Sequence, residues 1–598
     1  MSARYAIGID LGTTNSVLAF ASLESDTPLV ELLSIPQLVA PQTLERRESL
    51  PSFLYLARGG ETEAQEFDLP WAESRDFAVG EVARSQSSEN PDRTVGTAKS
   101  WLCHSRVDRH QAILPWKAPV NMVQISPVTA SQRYLEHLVA AWTQAFPDAP
   151  IAQQQIVLTV PASFDASARE LTREAALSAG LPASLVLLEE PQAATYAWLS
   201  SSGDDWRKSL TAGDRLLVCD VGGGTTDLTL VAAGAEDGDL QLRRQAVGNH
   251  LLVGGDNMDL TLAYHVSELF REKGTDLDPW QSVSLWHSCR AAKETLLAAD
   301  GAETQTISVA GRGSRLVGGS VSVEVHREDV ARILVDGFFP ECDITDQPSR
   351  QRVSGFQEIG LPYEADTAIT RHLAAFLQRQ TEEDSPDSPA PTHLLFNGGV
   401  FKSDRLQQAL LDRLSHWYGD AAPRILGGTH DLDYAVGRGA AYYAWTSQRG
   451  GIRIRGGTPR SYYVGVETAG LAIPGTPRPM SALCVVPHGM EEGTEADVPS
   501  EEIGLVIGES AGFRIFSSSS RPDDVPGDKL LHWSPDELVE TDSMETTLNS
   551  DGDEGDDYVP VRFQSRITEL GIFELSCVHT TTGESWKLEF SVRDDAEV

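Results

Sequence analysis

Two stretches decide how this chain is read: IGIDLGTTNS at residues 7–16 and LVCDVGGGTTD at residues 217–227. Each is an apolar, strand-like run that ends in an aspartate, turns through glycine and continues into Thr-Thr. Aligned on Asp10 and Asp220, they lie 210 residues apart. An internal duplication is the natural reading, with two half-domains each giving one hairpin to a shared cleft. The residue types share one chemistry. Glycine lets backbone N–H groups turn inward as an anion-holding concavity. Threonine hydroxyls add donors, and an aspartate at a strand end can hold a hydrated Mg²⁺. Breaking a phosphoanhydride asks mostly for positioning and charge neutralisation. One Gly-Thr turn is common in plain hairpins; two with the same Asp and Thr order point to phosphate.

Working outward, Ile156–Val160 is a short apolar run closed by Pro161, as in a buried strand. The spacing predicts helices over 132–146, 167–179, 257–272, 283–298, 366–380, 403–417 and 433–447. Residues 58–76 and the stretch EEDSPDSPAP, 382–391, read as polar loops. The segment RGGIRIRGG, 449–457, reads as a linker. After it short β-like runs dominate: 462–466, 482–486, 503–506, 513–516, 559–563, 571–579 and 586–592. Residues 534–557 carry ten acidic residues and no Lys or Arg, the composition of a solvated loop.

Bulk properties exclude several classes. The 598 residues carry a net charge of −39, against a nucleic-acid partner or an anionic membrane surface. No apolar run approaches membrane-spanning length, and the N-terminus has no apolar leader core, which predicts a cytoplasmic protein. The six cysteines are well separated, so no zinc-ligand pair exists and free thiols are expected. There is no P-loop pattern. Gly508-Glu-Ser510-Ala-Gly512 matches a nucleophile elbow in letters, but a strand-like run follows the serine where a helix is required.

Over about 1–447 the chain resembles the heat-shock 70 (DnaK-type) chaperone family of the actin-like superfamily. Blocks that carry the resemblance, in order, are the two quoted hairpins, NPDRTVGTAKSWL at 90–102, and IVLTVPASFDASARELTREAALSAGL at 156–181 with LLEEPQAATYAW at 187–198. VGGDNMD at 253–259, LLFNGG at 394–399 and DLDYAVGRGAAYYAW at 431–445 complete them. The resemblance implies an α/β fold: a duplicated actin-like (ribonuclease H-like) two-lobe ATPase domain over 1–447, a linker at 448–457, and a β-rich substrate- or partner-binding domain over 458–598. That last part resembles the family through TPRSYYVGVET, 458–468, and ESWKLEFSV, 584–592, with no room for a helical lid.

The resemblance also implies roles. ATP or ADP with Mg²⁺ is the cofactor. Lys99 is the catalytic lysine, Asp10, Glu190 and Asp220 order the ion and its waters, and Thr225 joins them. Gly12, Thr13, Thr14, Asn15, Gly222, Gly223 and Gly224 hold phosphates, and Gly254, Gly255, Gly398 and Gly399 line the cleft. Arg290, Lys293, Glu294, Lys402 and Asp433 fall in the adenosine pocket, where Arg290 and Glu294 invert the family's usual Glu and Arg. The family serine is Leu297. Asp227 orients metal or water. Pro161 and Arg169 match an interdomain relay pair, Arg169 competing with a plain surface ion pair to Glu170 or Glu174, and Glu189 reads as the solvated neighbour of Glu190. Implied partners are a polypeptide client or one dedicated protein, with a J-domain protein and a nucleotide exchange factor. The function expected is a slow ATPase that couples nucleotide state to polypeptide binding. The rival readings are a nucleotide-gated scaffold and a small-molecule kinase of the same superfamily.

Overall fold

The computed structural model describes residues 3–590 apart from 58–65, 105–106, 237–238, 250, 311–319, 350–360, 362, 385–389, 428–430, 450–453, 459, 468–479, 492, 507–509, 522, 535–536, 542, 548–557 and 569–572. The first sheet contains β1 (Tyr5–Leu11), β2 (Asn15–Ser22), β3 (Glu31–Leu32), β4 (Leu50–Pro51), β5 (Gln155–Val160) and β6 (Val186–Glu189), ordered β6-β5-β1-β2-β3 with β4 beside β2. The second contains β7 (Arg215–Val221), β8 (Thr226–Glu236), β9 (Asp239–Val247), β10 (His393–Asn397), β11 (Arg424–Ile425) and β12 (Ile454–Arg455), ordered β11-β10-β7-β8-β9-β12.

The two sheets share one plan. The first hairpin strand runs antiparallel to the second and parallel to the strand on its other side. Asp10 faces Thr159 across β5, and Asp220 faces Asn397 across β10. Being central, β1 and β7 are covered on both faces, which is why their sequences are nearly continuous apolar runs.

Each sheet buries its own core, the first around Ile7, Ile9, Leu158 and Trp142, the second around Leu217, Leu230, Phe270 and Leu394. The lobes meet through α3 and α6, of the helices α1 (Pro127–Ala145), α2 (Ala166–Ser178), α3 (Glu190–Ser202), α4 (Gly255–Glu272), α5 (Pro279–Leu297) and α6 (Ala435–Arg449). Small buried residues (Ala193, Ala194, Gly437, Ala440, Ala444) let these two backbones approach and share a third core with Val157, Val218 and Leu395.

Helix starts follow their caps. Asp165 accepts from the Ala168 amide at 2.8 Å and opens α2. Asp278 and Gln281 form a capping box with Pro279 at the first turn, so α5 begins four residues before the expected 283.

Past Arg449 every element among the described residues is a strand. Ser461–Glu467, Met480–Val486 and Ile515–Ser518 lie in one five-stranded sheet, Tyr558–Ile567 and Phe573–His579 in another, and Tyr462, Val464, Val485, Val561, Phe563 and Leu575 pack between them.

Several expectations change. The 513–516 run divides at Arg514 into strands of different sheets, because Arg514 turns outward to Glu540. Ser510 opens a strand, so no strand-to-helix elbow forms around it; Gly508 is outside the described residues. Of the supposed polar loop at 58–76, the described part buries Phe67 and Leu69 against Leu38 and Val82. Within 534–557 the described residues include strands Val539–Glu540 and Met544–Thr547, so that stretch is not wholly a solvated loop; 548–557 lie outside the described residues. The loop expected at 382–391 starts inside a helix, Ile369–Asp384, and 385–389 are outside the described residues. Ile452 and Arg453 are also outside them, but Ile454 is buried and pairs with Leu242 at the sheet edge. All six cysteines are free thiols. Among the described residues no helix is long and apolar enough to cross a membrane.

Candidate functional site

The two hairpins face each other across a cleft of about 500 Å³. In the first, the Ser52 amide donates to the Thr14 carbonyl (2.9 Å) and the Ser52 hydroxyl to the Gly12 carbonyl (2.7 Å), so the bend that follows β4 fixes the turn. In the second, the Gly222 amide closes the turn on Thr225 (2.9 Å). The first amides of α4, on Gly255 and Asp256, donate to the carbonyls of Gly222 (3.0 Å) and Gly223 (2.7 Å). Because each peptide is trans, those carbonyls send the amides of Gly223 and Gly224 away from the helix. The approach is tight: a Cβ on Gly223 would lie 2.2 Å from the Thr14 hydroxyl of the opposite lobe.

The strand ends carry the charge. Asp10, at the end of β1, accepts from Thr159 (3.0 Å). Asp220, at the end of β7, accepts from the Asn397 amide (2.7 Å). Glu190 opens α3 and is ion-paired to Lys99, which sits on the helical turn Ala98–Trp101 and is itself buried. Asp227, on β8, accepts from the Ser163 amide (3.1 Å) and the Thr225 hydroxyl (3.4 Å).

Four carboxylates, Asp220 and Asp227 buried and Asp10 and Glu190 partly so, thus gather around one lysine. Burial, then the Glu190 charge, pushes the Asp10 carboxyl up to about 7, against the pull of Lys99 and Thr159. Burial and the charges of Glu190 and Asp227 push Asp220 well above the usual carboxylate range. Asp227 and Glu190 are raised by burial too, although Ser163 and Lys99 oppose it for the first and Lys99 for the second. Burial alone would lower the Lys99 ammonium, but Glu190 and Asp10 outweigh it and hold the proton more firmly.

This surplus of negative charge suits a divalent cation. Among the described residues no three His, Cys, Asp or Glu side chains converge as direct ligands, so the fit is to an ion held through phosphate oxygens and water. Asn397 lines the cleft, and its side-chain oxygen Oδ1 is buried without a hydrogen-bond partner. It is the type of orphan that an ordered water or ligand satisfies.

The other end of the cleft is built differently. Arg290 is buried between Asp256 and Asp259, the latter at 2.8 Å. Lys293 bonds Asp259 (2.6 Å) and the Gly255 carbonyl (3.0 Å). Lys402 is paired with Asp433. Glu294 lies exposed on the wall beside the apolar Leu297. Burial pushes the Asp256 carboxyl up to about 6 although Arg290 pulls it down.

Of the residues predicted from sequence, Asp10, Gly12, Thr13, Thr14, Asn15, Lys99, Glu190, Asp220, Gly222, Gly223, Thr225, Gly255, Arg290, Lys293, Glu294, Gly398, Gly399, Lys402 and Asp433 line this one cleft. Gly224 does not: a Cβ there would run into the Ser100 hydroxyl and the Thr13 side chain. Gly254 caps α4 behind the second hairpin.

Glu189 is a correction. It is 4 % exposed, not solvated, and is bound by Arg169 (2.8 Å) and Arg244. Arg169 therefore leaves Glu170 and Glu174 to Arg173 and His110. Asn397, Asp256 and Asp259 were missed as site residues, although each stands inside a quoted motif, LLFNGG or VGGDNMD.

A family model described as "Hsp70 protein" matches residues 71–338. The match takes in Lys99, Glu190, the second hairpin and the Arg290–Glu294 wall; the first hairpin and the 397–433 wall lie outside it.

Proposed function

We propose that this chain, which matches the Hsp70 family model over residues 71–338, acts as members of that ATP-binding, chaperone-type family of ATPases do: it hydrolyses ATP slowly in this cleft and couples nucleotide state to the binding of polypeptide segments. The observation that carries this reading is the pair of glycine-threonine hairpins facing each other beside Lys99–Glu190.

In this reading Thr13, Thr14 and Thr225, with the turned amides of the second hairpin, hold the phosphate oxygens. Asp10, Glu190 and Asp220 hold Mg²⁺ through water, and the ion neutralises phosphate charge. Lys99 places its ammonium where charge grows at the γ-phosphate, or orients the attacking water. Glu190 keeps Lys99 charged and in position. Asp227 orients water or the hydrated ion. A lysine preorganised in a dry cleft needs no rearrangement as the charge develops, which is where such a donor has most effect.

We assign residues 1–447 to the nucleotide-binding part, 448–457 to the linker and 458–598 to the polypeptide- or partner-binding part, acting in the cytoplasm. A J-domain protein and an exchange factor are the partners that fit. The test is steady-state ATP hydrolysis with and without an unfolded polypeptide. Slow turnover that polypeptide accelerates supports the reading. Turnover raised by a sugar or small acid would indicate a kinase instead, and binding without turnover a nucleotide-gated scaffold.

A further inference from the structure

Between two helices of the second lobe, Arg327–Phe338 and Ile369–Asp384, the chain makes an excursion and comes back. Phe338 and Phe339 before it and Ile369 after it are buried in the second lobe's core. Leu361, between them, is 4 % exposed and belongs to the other core, that of the first lobe, with Leu54, Val95 and Trp101. Tyr363 packs against the same first-lobe core.

The stem of the excursion is fixed to the second lobe. The Thr367 hydroxyl donates to the Gly337 carbonyl and the Thr370 hydroxyl to the Pro340 carbonyl, both at 3.0 Å. Asp366 ties the outgoing chain to the returning chain: it accepts from the Ser349 amide (2.8 Å), the Ala368 amide (2.9 Å) and Arg371 (2.6 Å). The Glu364 amide donates to the Leu252 carbonyl (3.4 Å), just ahead of α4. A stem held by one lobe thus plants an apolar side chain in the other.

The crossing lies at the Arg290 end of the cleft. Burial, then the charge of Asp256, pushes the Tyr363 phenol up, which places the ring beside the Arg290 cluster. The Arg290 guanidinium itself sits 5.8 Å from the ring centre of Phe53, a buried residue of the first lobe. For the lobes to part at this end, Leu361 has to leave its core for water. That exposes apolar surface and leaves a void behind, and both are unfavourable.

We propose that Leu361 is a clasp between the lobes: planted in the first lobe from a stem held by the second, it keeps the Arg290 end of the cleft closed without nucleotide, so that a bound nucleotide leaves only when the clasp lets go. The effect on nucleotide release rests on the reading of this cleft as a nucleotide site; the clasp itself rests on the packing alone. The closed relation of the lobes is then a property of the chain and not of its ligand.

The test uses the full-length chain with Cys103→Ser, which removes the one half-buried thiol, and spin labels on Glu89→Cys and Ser282→Cys. Both positions are exposed, on helices of opposite lobes that face each other, Glu81–Glu89 and α5. Without nucleotide this parent gives one short, narrow distance distribution. In Leu361→Ala the distances lengthen and broaden. Release of N-methylanthraniloyl-ADP is then about thirtyfold faster, the low end of what truncating a buried leucine does to an equilibrium. Leu361→Val, a milder cut that spares the fold, moves both readouts the same way by less. Leu135→Ala, in the same core but on α1 of the first lobe itself, moves neither. Overturning results are a broad distribution in the nucleotide-free parent, a Leu361→Ala chain that keeps the parent's distances or release rate, or a Leu135→Ala chain that opens equally. If the parent binds no nucleotide, the nucleotide reading fails by itself, and the distances still decide the clasp.

Discussion

The hairpin end of the cleft, proposed to hold phosphate, and the Arg290 end, proposed to hold the base, carry their charge in opposite ways. At the phosphate end Asp10, Asp220, Asp227 and Glu190 outnumber their one cation, Lys99. At the base end Arg290, Lys293 and Lys402 are already bonded to Asp256, Asp259 and Asp433. In the proposed reading an ion and phosphate complete the first arrangement. The second pairs its three cations, although Asp256 Oδ2 stays buried without a hydrogen-bond partner. Binding energy should therefore sit in the triphosphate and its metal, and the purine should be read loosely.

The largest effect should come from breaking the self-contained end. Arg290→Met leaves Asp256 and Asp259 buried without their main partner, and removing one member of a buried pair costs about 3–5 kcal/mol. Urea unfolding should show that loss; a variant as stable as wild type would mean the base end is not held by its ion pairs.

A second effect lies outside the cleft and must be known before stability is compared across pH. His137 is buried, and burial pushes its imidazole down to about 4 although it bonds the Pro36 carbonyl at 2.8 Å. The folded pKa lies below the unfolded one, about 6.5, so this stability is full above 6.5 and is lost as pH falls toward 4. The loss amounts to about 3 kcal/mol at 1.36 kcal/mol per unit. His137→Gln should flatten the curve in that window, and parallel curves would refute the assignment.

Asp10→Asn should act with the opposite sign to Arg290→Met. It removes one of four crowded charges, so the nucleotide-free protein in chelator gains stability. The Asp10 shift from 3.8 to about 7 represents about 4 kcal/mol, and setting the lost Lys99 attraction and Thr159 bond against it leaves a gain of roughly half that. The same change should weaken Mg²⁺-nucleotide binding about 10–100-fold, the usual result of losing a group that orients a bound ion. Calorimetry and denaturation together check both halves.

How much of this was legible in the sequence depends on where the partners sit. The hairpins could be read because a phosphate turn is local: glycine, threonine and a strand-end aspartate lie within ten residues. The two-lobe plan followed from their repetition. Glu189 was misread because its burial depends on Arg244, 55 residues on, and no local pattern announces that pairing. Arg290 could be placed on its helix, but Asp256 and Asp259, more than 30 residues before it, decide that it faces protein rather than ligand. The early start of α5 was written in Asp278, Pro279 and Gln281, a cap that apolar periodicity does not register.

The smallest expected effect is the discrimination between bases. With the cations of the base end engaged, ATP and GTP should bind within about tenfold of each other, or 1.4 kcal/mol. A preference for ATP above about a hundredfold, roughly 2.7 kcal/mol, would show that Glu294, Leu297 and their neighbours read adenine closely.

The most direct test of the central claim is single-turnover cleavage of ATP by wild-type protein and Lys99→Ala, with ATP affinity measured on the same samples. Lys99 is the one cation among these carboxylates, and in the proposed reading its contribution belongs to the transition state. The rate should fall about 10²–10³-fold, equivalent to about 2.7–4 kcal/mol, with binding retained. Cleavage by Lys99→Ala at the wild-type rate would contradict the account.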